Sequence, residues 1–250
     1  MVTGASRGLG KAIARRLARQ GAAVWVNYVN RGGDADKVVE EIRSEGGRAN
    51  AIRADIGDPA QVQEMMQRVT GELGPLSILV NNAGVSIRGT LESFNPADLE
   101  RMRRTNVDGL IQVTRAAVPG MQERRYGRVV NITSIAGHGT TLPGSTFYAA
   151  TKAAVSTLTR RFAMELSPQG ITVNAVAPGF ILTDMVKQGR DEAESAKLLK
   201  KISDLSMVGR VGDPEDIAHA VAFLVAPESG FITAQVITVD GGRMDYIGHP

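Results

Sequence analysis

Short runs rich in β-branched and apolar residues recur along the whole chain, separated by longer stretches of helical periodicity, and this alternation constrains the fold more than any other feature. The runs are residues 22–27, 48–53, 77–80, 128–133, 171–176 and 235–239. Parallel strands require such a pattern, because each must return to the same end of the sheet through a crossover helix. The sequence therefore predicts an α/β fold, a doubly wound parallel sheet of about seven strands with helices on both faces. Only residues 1–3 precede the first glycine turn, so the opening strand looks clipped. Either the chain begins inside that strand or a central strand is unusually short. No repeat, low-complexity tract or linker divides the 250 residues, so 1–250 is read as one domain. The least regular stretch, about 180–212, carries Lys187, Arg190, Asp191 and Glu192. It reads as a lid over a site, or as a surface helical hairpin with no role.

The charge balance narrows the partners. Lys and Arg total 29 against 26 for Asp and Glu, and the arginines (Arg15, Arg16, Arg101, Arg103, Arg104, Arg124, Arg125, Arg160, Arg161) are scattered rather than gathered in a stripe. That pattern suits solvated helix faces and not a nucleic-acid surface. With no cysteine, disulfides and thiolate chemistry are excluded, and three dispersed histidines make a poor metal set, so no metal is expected. No leader and no apolar stretch of membrane-spanning length is evident, which reads as a cytoplasmic protein acting on a small molecule.

Residues 2–10 place Gly4, Gly8 and Gly10, with Ser6, Arg7 and Leu9 between them, where a strand end meets a helix start. Glycines let backbone approach a pyrophosphate, and a helix N-terminus offers it free N–H groups. A purely structural turn has the same look. At the end of the next strand, where an acid would clasp the ribose 2′-hydroxyl of NAD, the chain has Asn27. With Arg7 and Arg31 nearby this favours NADP(H), with NAD(H) as the alternative; Arg7 could equally cap a helix or sit in solvent. Asp55 and Ile56 follow one strand, and Asn82, Ala83 and Gly84 follow another. Both groups fall at strand carboxyl ends, where adenine and nucleoside contacts belong, although each alone could be an ordinary turn.

The strongest constellation is Ser134 with Tyr148 and Lys152. If a helix spans 145–166, Tyr148 and Lys152 share a face one turn apart. An ammonium beside a phenol favours its ionised form and lowers a pKa that is ordinarily near 10, making Tyr148 a usable proton donor and acceptor. Ser134, just after a strand, would orient the substrate oxygen. Tyrosine and lysine at this spacing are also common as plain structural residues.

With the glycine turn, Asn82-Ala83-Gly84, Ser134, Tyr148, Lys152 and Ala177-Pro178-Gly179 all in order, the chain resembles the short-chain dehydrogenase/reductase family over essentially its whole length, and so a Rossmann fold. The resemblance implies that Asn106 is a fourth catalytic residue, holding a water through its backbone carbonyl; on sequence alone Asn106 could equally be a buried amide in a helix bend. It implies that Tyr148 and Lys152 also contact the cofactor, that Pro178, Gly179 and Thr183 shape the nicotinamide site, and that 180–212 is the substrate-binding loop. The residues around 124–128, 178–185 and 239–242 are most similar to the 3-oxoacyl-[acyl-carrier-protein] reductase branch, which implies NADPH, a homotetramer and acyl carrier protein as a partner. Basic residues near the active-site mouth dock the carrier there; Arg125 matches one such position, and Gln169 stands where another is expected. The expected reaction is NADPH-dependent reduction of a ketone of the 3-oxoacyl thioester type, with Tyr148 as general acid. The alternatives are an alcohol or sugar dehydrogenase and a non-catalytic NADP(H)-sensing regulator. Residues 243–250 extend past the usual end and are read as reaching a neighbouring subunit.

Overall fold

The computed structural model describes residues 1–140, 143–183 and 192–243. Chain order alternates as the sequence predicts: α1 (Gly8–Arg19), β1 (Ala23–Tyr28), α2 (Gly32–Ser44), β2 (Arg48–Arg53), α3 (Pro59–Glu72), β3 (Ile78–Asn81), α4 (Pro96–Arg103) and α5 (Leu110–Glu123). Then follow β4 (Gly127–Ile132), α6 (Thr146–Leu166), β5 (Ile171–Pro178), α7 (Glu192–Asp204), α8 (Pro214–Val225) and β6 (Val236–Val239). A π-helical turn, Arg104–Gly109, joins α4 to α5.

All pairings among the named strands are parallel. β1 lies beside β2, and β3, β4, β5 and β6 follow one another in that order. Residues 1–3 join these two parts. Val2 bridges Val26 on one side and Val80 on the other. Its N–H donates to the Trp25 carbonyl (3.0 Å) and its carbonyl accepts from Asn27 (3.1 Å), while Thr3 N donates to Val80 O (3.0 Å) and Val80 N to Met1 O (2.9 Å). Three residues thus fill the central place in a sheet ordered β2, β1, residues 1–3, β3, β4, β5, β6.

Side-chain alternation sorts the core into two layers. Val24, Val26, Val130, Ile132 and Val176 pack against α1, α2 and α8. Trp25, Ile52, Leu79, Val129 and Val173 pack against α3, α5 and α6. Buried on both faces, β4 and β5 bury every residue, whereas the outer strands β2 and β6 do not.

Within the stretch read as irregular, α7 is a regular helix. The excursion is closed at its base, where Leu182 N donates to Gly212 O (2.8 Å) and Gly212 N to Phe180 O (3.1 Å). Lys187, Arg190 and Asp191 lie outside the described residues, as do Asp184 and Met185. Of the C-terminal extension only Arg243 is described, bridging Ser206. No helix among the described residues is long and apolar enough to cross a membrane.

Candidate active site

The glycine turn, the Asp55 turn, the Asn82 turn, Ser134 and Gly179 all leave the sheet at its carboxyl edge. Gly4 (φ +60°) and Gly8 (φ +54°) hold left-handed backbone. A Cβ on Gly4 would fall 2.9 Å from Ala83 Cα, and one on Gly10 2.5 Å from Gly4 O. Glycine is therefore structurally required here, and it also leaves the α1 N-terminus bare. Arg7 precedes that helix in extended conformation without a side-chain cap, so the capping alternative falls away. Thr183 lies alongside, its Cγ2 3.7 Å from where a Gly8 Cβ would sit. A bare helix N-terminus beneath a glycine cradle fits a dinucleotide pyrophosphate.

The turn is held from below. Asn82 Nδ2 donates to the carbonyls of Thr3 (2.8 Å) and Gly4 (3.0 Å), and the Thr3 hydroxyl accepts from the N–H groups of Asn82 and Ala83, both at 3.0 Å. Asn27 is part of this support and not of the ligand surface. Only 1% exposed, it accepts from Gly4 N (3.1 Å) and donates to Ala54 O (3.0 Å). The expectation that Asn27 faces the ribose is corrected: strand alternation puts it on the α3 side, against Met65. The residues that emerge at the crevice are Val29, 39% exposed, and the exposed Asn30 and Arg31. Asp55 accepts from Gly57 N (2.9 Å) and from Arg104 Nη2 (2.7 Å). Ile56 is buried, packed against Gly109 of the π turn.

Ser134 follows β4 and caps the short 3-10 turn Ile135–His138, accepting from Ala136 N at 3.1 Å. The same side chain lies beside the Tyr148 hydroxyl and acts to lower its pKa. One turn along α6, Lys152 is only 4% exposed; its Nζ donates to Ile132 O (2.8 Å) and stands 5.8 Å from the Tyr148 ring centre. From spacing alone, the Lys152 ammonium is expected to acidify Tyr148. Here burial dominates and raises the phenol, and the lowering contact comes from Ser134. Burial likewise lowers Lys152, from 10.5 to about 8.

Asn106 lies in the π turn, 1% exposed, and satisfies the buried-amide reading: Oδ1 accepts from Val85 N (2.8 Å), and Nδ2 donates to Val85 O (2.9 Å) and Thr151 Oγ1 (3.0 Å). A Cβ on Gly84 would sit 3.3 Å from Asn106 Oδ1 and 3.4 Å from Lys152 Nζ, which brings Gly84, Asn106 and Lys152 together. Pro178 ends β5, and Gly179 N donates to Val239 O (2.9 Å). Arg125 and Gln169 are not near this mouth within the chain. They precede β4 and β5, a strand length or about 20 Å from Ser134. Arg125 donates to Pro168 O, and Gln169 pairs with Gln122. Thr3, Thr151 and Arg104 are site residues that the motif reading missed, because nothing in their spacing separates a bonded hydroxyl or guanidinium from a solvated one.

Comparison with known proteins shows the family and the fold. Residues 4–243 match the family model described as Enoyl-(Acyl carrier protein) reductase. The chain is 40% identical over 242 residues to a 3-oxoacyl-[acyl-carrier-protein] reductase FabG of Staphylococcus aureus, covering 97% of this chain and 96% of that protein. It belongs to the short-chain dehydrogenase/reductase family. A short-chain dehydrogenase/reductase from Serratia marcescens superposes with TM-score 0.89 at 36% identity, covering 96% and 95% of the two chains. A gluconate 5-dehydrogenase from Burkholderia cenocepacia in complex with NADP and tartrate superposes with TM-score 0.87 at 33% identity, covering 96% and 92%. As a short-chain dehydrogenase/reductase the protein is an NAD(P)-dependent oxidoreductase acting on CH–OH or carbonyl groups, and ketoacyl reduction is an activity of its relatives.

Proposed function

We propose that this short-chain dehydrogenase/reductase reduces a ketone of the 3-oxoacyl thioester type with NADPH, and that Tyr148 is the proton donor. The observation that carries the reading is Tyr148 with Ser134 beside its hydroxyl and the buried Lys152 amine one helical turn away, 5.8 Å from the ring centre. Bound in the crevice, the dinucleotide supplies hydride to the carbonyl carbon. The Tyr148 phenol, held protonated by burial, gives its proton to the carbonyl oxygen while Ser134 positions that oxygen. Lys152 places positive charge beneath the phenolate left behind, and Asn106 holds the route by which a proton returns. Arg7 at the glycine turn, together with the absence of any acid among Val29, Asn30 and Arg31, supports NADPH over NADH.

Specificity constants for NADPH and NADH, measured with acetoacetyl-coenzyme A, an acetoacetyl carrier protein, ketoses and simple ketones, test both parts. Thioesters with NADPH should lead. A lead for the carrier-bound thioester would make acyl carrier protein a partner. The second reading, a sugar or alcohol dehydrogenase, is favoured by the likeness to the gluconate 5-dehydrogenase; polyol oxidation outpacing thioester reduction would establish it.

A further inference from the structure

We propose that Arg104 is a positioning residue that fastens the adenine-side turn at residues 55–57 to the π turn carrying Asn106, so that the cofactor seat and the catalytic helix are held as one body. The inference rests on the NADPH reading above. Arg104 Nη2 donates to Asp55 Oδ2 (2.7 Å), and its Nε donates to the Gly57 carbonyl (3.0 Å). Both acceptors belong to one three-residue turn. A Cβ on Gly57 would come within 2.7 Å of Nε, so glycine is what lets the guanidinium lie across the loop. The far end of the π turn makes the same approach: a Cβ on Gly109 would fall 2.8 Å from Ile56 Cγ1 and 3.0 Å from Ile56 O.

Between these two seats lies Asn106, whose Nδ2 donates to Thr151 Oγ1 (3.0 Å); that hydroxyl in turn donates to the Tyr148 carbonyl (2.7 Å). A continuous set of contacts therefore runs from Asp55 through Arg104, the π turn and Thr151 to the residue proposed as proton donor. The neighbouring Arg103 takes no part and pairs with Glu100 and Asp108. An exposed ion pair of this kind is worth little by itself. Here a planar fork grips a carboxylate and a carbonyl together, which an ammonium cannot reproduce. π turns inserted in helices also recur at functional sites.

The experiment compares wild type, Arg104→Ala, Arg104→Lys, Asp55→Asn and Asp55→Asn/Arg104→Ala in the full chain. It records NADPH affinity by fluorescence, kcat for acetoacetyl-coenzyme A at saturating NADPH, and melting temperature. Arg104→Ala should weaken NADPH about fivefold and lower kcat about threefold with melting little changed, and Arg104→Lys should recover only part. Adding Arg104→Ala to Asp55→Asn should weaken NADPH by less than Arg104→Ala does in wild type, because the two residues share one contact while the bond to the Gly57 carbonyl is Arg104's own. Wild-type values for Arg104→Ala, additive penalties in the double variant, or an effect on melting alone overturns the proposal. Wild-type protein that binds no NADPH overturns the functional reading beneath it as well.

Discussion

At the scale of single residues the proposed chemistry turns on two buried titratable groups. Replacing Tyr148 with Phe should lower kcat by about 100-fold or more while NADPH affinity stays at the wild-type value, since only a proton donor is lost; fluorescence titration beside steady-state rates checks both halves. Burial raises Tyr148 and lowers Lys152 to about 8, so the donor keeps its proton in alkaline solution after the lysine has lost its own. The constant kcat/KM for NADPH, which reports the free enzyme, should accordingly decline as pH rises through about 8 with the slope of one proton. A profile flat from pH 7 to 9 would count against a role for the ammonium. Asn27 gives a further contrast. A carboxylate in place of its amide would face the Ala54 carbonyl without solvent, so Asn27→Asp should cost about 3 kcal/mol in urea unfolding. It should leave cofactor choice unchanged, whereas Val29→Asp, at the crevice, should shift preference towards NADH. Asn27 closes the strand as the sequence suggests but points inward, because strand alternation is settled only by where the strand starts and stops.

At the scale of elements, the turns work because hydroxyls and amides at strand ends tie them together. Thr3→Val keeps the shape but leaves the N–H groups of Asn82 and Ala83 without their acceptor. Two such losses should cost about 2–4 kcal/mol in urea unfolding and raise the KM for NADPH. The helix bearing Tyr148 and Lys152 was legible within one residue, since four-residue spacing and the glycines before it mark its start. The buried ladder beneath was not: Asn81 Nδ2 donates to Thr114 and to Asn131 (both 2.9 Å), and Asn131 Nδ2 to Thr159 (3.0 Å), joining β3, β4, α5 and α6. In sequence these positions read as polar interruptions of apolar runs. Only the facing element reveals that each is paired.

At the scale of the whole molecule, stability converges on the three residues that fill the centre of the sheet. Val2 is fully buried and bridges strands on both sides, so Val2→Ala should cost about 2 kcal/mol in urea unfolding, more than a similar truncation on the outer strand β2. By itself the sequence determined the order and spacing of strands and helices, the carboxyl edge as the place where the motif residues gather, and the helical juxtaposition of Tyr148 with Lys152. These follow from local periodicity and from the handed, parallel crossovers that such periodicity permits. Tertiary structure alone decided which side of a strand Asn27 faces, that burial raises the Tyr148 phenol with Ser134 opposing it, and that Arg104 grips a turn 47 residues before it. Each of those outcomes depends on desolvation and contact between segments distant in the chain, and no local pattern of residues encodes them.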